Sequence, residues 1–227
     1  MKTVLKTTLI ALTLSSFAYA DMGDNPLLSM LTIDELEKQN NDEKNVAWDV
    51  NAWIGYDLGK IYIYSEGEKP EGATGESENQ LVYSQAIAPF WDIQYGVGYD
   101  KTETDSQTWG VLALQGLAPY FFETRGALLI GEQGELGFRF ETEYEALLTQ
   151  RLIATPSLAT TLYSKDNVSM GFGKGLSNIT AGVRLRYEIR REFAPYVGVE
   201  WSKNFGNTAD ISPLNETYAV AGIRIWF

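Results

Sequence analysis

From about residue 46 to the end of the chain, apolar and polar side chains alternate with a period of two, and this restricts what the chain can fold into more than any other feature. In 178–189 one face reads Ile179, Ala181, Val183, Leu185, Tyr187, Ile189 and the other Asn178, Thr180, Gly182, Arg184, Arg186, Glu188. The stretch 136–148 repeats the pattern, with Leu136, Phe138, Phe140, Thr142, Tyr144, Ala146 and Leu148 opposed to Gly137, Arg139, Glu141, Glu143 and Glu145. Side chains alternate across a strand but form a stripe every three to four residues on a helix, so these segments are strands. Further strands are expected at about 47–57, 60–67, 80–89, 91–100, 107–118, 120–131, 152–164, 193–203 and 217–227. The segment 29–38 reads as a further strand or as a short helix. With it the strands number 12, and without it 11. Single-chain outer-membrane barrels favour even numbers, so 12 is expected.

The expected strands are joined alternately by tight turns (Leu58-Gly59, 88–91, 117–120, 149–151, 190–192) and by longer polar connections (68–79, 101–106, 165–177, 204–216). Aromatics gather near strand ends, at Phe90, Trp91, Tyr120, Phe121, Phe122 and Phe193. Short turns on one side, long loops on the other and aromatic girdles at both interfaces are the pattern of a membrane-spanning barrel. A soluble ligand-binding barrel alternates too, with its apolar face inward. Here one face of many strands is nearly free of charge and rich in large aliphatics and aromatics, which favours lipid outside and a polar lumen inside. The fold class expected is therefore all-β, a transmembrane antiparallel up-and-down barrel.

Residues 1–20 carry Lys2 and Lys6 ahead of a short apolar run that closes on Ala18-Tyr19-Ala20. That run is too short for a spanning helix and ends in a small-x-small pattern, so it reads as a signal peptide cut before Asp21. Residues 21–45 form a short N-terminal segment that can include the first strand, and 46–227 form the barrel. Removing the leader takes two lysines and no acid, leaving 16 basic against 30 acidic side chains, a net charge of −14. Such a chain has no basic face for nucleic acid. It contains no cysteine and no histidine. That excludes thiolate and imidazole metal sites, as well as Ser-His and Cys-His catalysis, so no enzymatic activity is expected.

Several blocks resemble the outer-membrane copper resistance protein B family: Trp48-Asp49 with Ala52-Trp53-Ile54-Gly55, Ser65 to Glu68, and Ala88 to Gln94. Further blocks are Gly116 to Tyr120, Leu148 to Leu152, Gly182 to Val199, and Gly206 with Thr208-Ala209-Asp210. Ile33-Asp34-Glu35-Leu36-Glu37 is similar to the family's first strand, which supports 12 strands. The resemblance implies a Gram-negative outer-membrane barrel that passes or binds copper ions in copper resistance or homeostasis. Copper is then its ligand, and outer-membrane lipids and a periplasmic copper protein are its partners. The chain departs from the family in lacking a Met- and His-rich segment before the barrel. Only Met22 and Met30 stand there as soft ligands.

The residues expected to face the lumen include Asp49, Asp92, Gln94, Asp100, Glu123, Arg125, Arg139, Glu141, Glu143, Glu145, Arg184, Arg186, Glu188, Glu200 and Arg224. As candidate metal ligands we single out Glu141, Glu143 and Glu145, three carboxylates on one strand face that repel one another unless a cation or arginine lies opposite. Arg184 and Arg186 are the arginines expected to meet them. Met30 and Met170 are the candidate thioether ligands, Met170 lying in the outer loop Ser169 to Gly173. The competing reading is an unselective small-solute or structural barrel, with the inward acids and arginines paired as lumen filling.

Overall fold

The computed structural model describes residues 25–41, 45–71 and 74–227; the expected leader and Met22 fall outside these residues. The strands are β1 (Leu28–Gln39), β2 (Val46–Gly55), β3 (Gly59–Lys69), β4 (Glu76–Ala88), β5 (Trp91–Lys101), β6 (Ser106–Ala118) and β7 (Phe122–Gly131). They continue with β8 (Leu136–Glu143), β9 (Ala146–Leu147), β10 (Leu152–Tyr163), β11 (Gly175–Tyr187), β12 (Phe193–Asn204) and β13 (Asn215–Trp226). Both β8 and β9 pair with β10 and form one interrupted stave, so the circuit has 12 staves. Each pairs antiparallel with its neighbours in chain order, and β1 pairs with β13 to close the barrel. Closure leaves no edge strand, so backbone groups at membrane depth are satisfied within the sheet.

The short connections 56–58, 89–90, 119–121, 148–151 and 188–192 lie at one end, together with Asn25 and Phe227. That end is periplasmic in an outer-membrane barrel. The opposite, outer end carries the two longest connections, 164–174 and 205–214, the latter with a six-residue helix α1 (Gly206–Ile211). Leu81, Leu112, Leu114, Leu128, Phe138, Val183, Val197 and Val199 are exposed on the outer surface, where a charge-free face meets lipid. The exposed aromatic turn residues Phe90, Tyr120 and Phe121 mark the periplasmic rim, the depth at which rings sit among headgroups.

Three local departures from the expected pattern matter for the lumen. The segment 29–38 is a strand, and it carries a bulge. The register against β2 shifts between Ile33 and Glu35, and the register against β13 between Ile33 and Leu36. One inserted residue reverses the alternation, so Asp34 and Glu35, adjacent in sequence, both point inward. The polar connection expected at 68–79 shrinks to 70–75, because β3 runs on to Lys69 and β4 starts at Glu76. Cross-strand pairing there overrides the low strand propensity of glutamate. Finally, the inward face is not polar throughout. Val82, Trp109, Val111, Ala113, Ala127 and Leu129 on β4, β6 and β7 pack inside the barrel with Met170 and Phe172.

Candidate functional site

The lumen holds a cavity of about 1600 Å³ lined chiefly by acids, amides, hydroxyls and arginines. Its electrostatics follow from strand register. Glu35 on β1 lies opposite Asp49 on β2, Asp49 opposite Glu66 on β3, Glu66 opposite Glu78 on β4, and Glu78 opposite Asp100 on β5. Five carboxylates on five consecutive strands thus form one row, which stops at Gln107 on β6. Glu68 and Glu76 are a further like-charged pair across β3 and β4, and Glu123 and Glu143 are another across β7 and β8. Side chains directly opposite stand about 5 Å apart, where two carboxylates repel by about 1 kcal/mol in water and about 3 kcal/mol at an effective dielectric of 20.

Arginines neutralise the ends of the row and leave its middle. Arg139 bonds Asp100 at 2.6 Å and pairs with Glu78. Arg184 reaches Glu35 at 2.8 Å, Glu37 at 3.0 Å and Glu200 at 2.9 Å. Arg224 pairs with Asp34 at 2.8 Å and Glu145 at 3.2 Å, and Arg186 with Glu145 at 2.7 Å. Among the described residues, Asp49, Glu66, Glu123, Glu141 and Glu143 take part in no salt bridge. Asp49 lies within electrostatic reach of Glu66, Asp34, Glu141 and Glu143, so acids of β2 and β3 face acids of β8 across the lumen. Arg125, opposite Glu141 in register, turns instead to Gln94 at 3.2 Å and to Gln80, and lies over the Tyr64 ring.

The three expected glutamate ligands therefore separate. Glu141 and Glu143 face the cavity unpaired, whereas Glu145 follows the break after β8 and is held by two arginines. The arginines expected to serve all three are divided as well, Arg186 going to Glu145 and Arg184 to β1 and β12. Met30 is the third residue of β1, opposite Trp53, at the periplasmic end. Met170 is buried at the outer mouth, so the two thioethers cannot share one ion. Among the described residues, no three His, Cys, Asp or Glu side chains converge on a point that could hold a metal ion. The described carboxylates thus line the cavity without closing into a coordination cage. Glu66, Glu78, Glu35 and Glu37 were not among the residues expected to face the lumen: Glu78 lies where a loop was expected, Glu66 near the end of the strand expected at 60–67, and the other two beyond the bulge.

The tip of the outer connection 164–174 turns into the mouth, where 170–172 line the cavity. Asp166 accepts from the Lys174 backbone N–H at 2.6 Å and the Asn207 amide at 3.0 Å. These bonds hold its carboxyl below the usual carboxylate range. The docking they provide is present above that range and is lost as pH falls through the lowered value.

A family model described as Copper resistance protein B precursor (CopB) matches residues 27–227. The chain is similar to Copper resistance protein B of Escherichia coli, 41% identical over 210 residues that span 90% of this chain and 71% of that protein. It is also similar to the Copper resistance protein B homolog of Pseudomonas syringae pv. tomato (strain ATCC BAA-871 / DC3000), 38% identical over 210 residues, with the same 90% and 71% spans. Among solved structures, the NanC porin aligns with a TM-score of 0.56 at 9% identity, covering 87% of this chain and 99% of that one. The KdgM porin aligns at 0.52 and 13% identity, covering 87% and 99%. At such identities the likeness is one of fold, an outer-membrane porin-type barrel.

Proposed function

The chain belongs to the copper resistance protein B family, and from that premise we propose that this outer-membrane barrel passes copper ions as cations through its acidic lumen, without covalent chemistry, in copper resistance or homeostasis. The observation that carries the reading is the set of unpaired carboxylates, Asp49 and Glu66 on one wall and Glu141 and Glu143 on the other, facing each other across the cavity. Clefts lined by one sign of charge between low-dielectric walls concentrate the opposite ion about 10- to 1000-fold. The force on a divalent ion is twice that on a monovalent one.

A lining whose ion-binding groups are chiefly carboxylate, amide and hydroxyl oxygens suits Cu(II) rather than Cu(I), which prefers thioethers; among the described residues these stand at opposite ends of the barrel, Met30 and Met170. For a given oxygen site, affinity rises to Cu(II) along the first-row divalent metals, so a modest preference over zinc needs no cage. The same lining would serve a transit path that an ion leaves as readily as it enters. A periplasmic copper protein at the short-turn end is the partner the reading implies. The absence of histidine and of a three-ligand cluster among the described residues favours a second reading, an unselective channel for small cations.

Refolded barrel in liposomes separates the two. Copper influx several-fold faster than calcium under equal gradients, with zinc between, is the expected result. Equal rates for the three metals would leave the unselective channel, and no influx of any would mean a filled lumen.

A further inference from the structure

We propose that the segment 164–174 is the outer constriction of the pore and that Phe172 sets the size of what can pass. The proposal rests on the reading of the lumen as an ion path and names the residues that limit it.

The segment leaves β10 after Tyr163 and returns at Gly175; most of it is exposed, but its tip, 170–172, is turned inward and lines the cavity. Asn167 and Phe172 bridge as a short hairpin. The Asn167 side-chain oxygen accepts from the Ser169 hydroxyl at 2.9 Å and the Met170 backbone N–H at 3.2 Å. Gly171 sits at the tip with φ 76°, a left-handed turn that carries Met170 and Phe172 into the barrel. Both side chains are nearly inaccessible, at 8% and 6% exposure. Phe172 stacks on Tyr163 with ring centroids 3.7 Å apart and lies 6.3 Å from Trp109. The Trp109 indole N–H in turn donates to Asp100 at 2.7 Å, the last carboxylate of the acidic row. The apolar inner patch of β4, β6 and β7 is the surface this stack covers. Aromatic side chains therefore narrow the outer half of the lumen beside the end of the row.

The segment is fastened from two sides. Thr104 donates to the Ser169 carbonyl. On the other side the Gly173 N–H donates to the Thr208 hydroxyl at 2.8 Å, and that hydroxyl donates to Ser177 at 2.9 Å. A Cβ on Gly173 would collide with the backbone of Asn207 and Thr208, so the two outer connections interlock with no spare room. A wall so fixed excludes wide solutes, and its low dielectric strengthens the field of the neighbouring carboxylates on an ion squeezed past them. Loops folded into a barrel to narrow it are compatible with the fold, because irregular backbone is tolerated where it lines a cavity.

The test is conductance of the full barrel in planar bilayers, with solute size limits from liposome swelling. The wild type is compared with Phe172→Ala combined with Met170→Ala, and separately with Thr208→Val, which loosens the fastening but keeps the rings. Folding is checked by heat-modifiable gel mobility. Both variants are expected to conduct at least about twofold more than wild type and to admit a neutral oligosaccharide that the wild type excludes, still favouring cations. Folded variants with unchanged conductance and size limit would overturn the constriction, while a cation-selective wild-type current would leave the ion path standing. A silent wild type beside conducting variants would support the segment as a plug and overturn the standing path. Silence in all three would overturn both.

Discussion

Neutralising Asp49, Glu66, Glu141 and Glu143 together, as Asp49→Asn, Glu66→Gln, Glu141→Gln and Glu143→Gln, is expected to lower divalent-cation influx about tenfold or more while the barrel stays folded. None of the four is in a salt bridge among the described residues. The substitutions strand no arginine, and they remove the direct opposition of Asp49 and Glu66. A like-charged pair across two strands works against the fold, so unfolding in urea should occur at the same or a higher concentration in the variant. A barrel that keeps these acids where amides would be more stable is expected to use their charge. Glu145→Gln, by contrast, removes a partner of Arg186 and Arg224 and should act on stability rather than on flux. Influx is read in liposomes under a fixed gradient; a quadruple variant as permeable as wild type would reduce these residues to lumen filling.

Arg184→Ala is expected to destabilise the barrel by about 3–5 kcal/mol, because a buried ion pair broken on one side leaves uncompensated charge. Arg184 is 12% exposed and bonds Glu35, Glu37 and Glu200 at once. Those acids lie on β1 and β12, so a single guanidinium on β11 ties its neighbour β12 to β1, across the seam where the barrel closes. The hydroxyl of Tyr196 at 3.0 Å from Glu37 and that of Tyr218 on Glu200 complete the cluster without neutralising it. Arg184→Lys should recover only part of the loss, since an ammonium lacks the planar fork that bonds three carboxylates. Urea titration of the refolded protein measures both; a loss below about 1 kcal/mol would mean that water already satisfies the three acids.

The staves themselves were legible, because period two survives wherever one face must meet lipid: the strand expected at 178–189 stands as Gly175–Tyr187, and that expected at 136–148 as Leu136–Glu143 followed, after a break, by Ala146–Leu147. Identity as a family member was legible from blocks such as Gly182 to Val199. What stayed hidden depends on residues far apart in sequence. The bulge that turns both Asp34 and Glu35 inward is set by pairing with β2 and β13, and no local pattern encodes it. The acidic row needs the register of five strands at once. Its member Glu78 lies within the Glu/Gly-rich stretch 68–79 that reads as loop, and Glu66 stands just before it. Glu141, Glu143 and Glu145 looked equivalent because their alternation is unbroken in sequence, and only the break after Glu143 gives Glu145 to the arginines. Met170 stands out in the sequence only as a thioether in an outer loop. Its burial requires the inner apolar patch from β4, β6 and β7.

The most direct test of the acidic path is the reversal potential of wild-type barrel in a planar bilayer under a potassium chloride gradient. A reversal potential close to the potassium equilibrium value, shifting towards zero in the quadruple variant, is expected if facing carboxylates set the selectivity. A reversal potential near the chloride value, or one that the variant leaves unchanged, would contradict it.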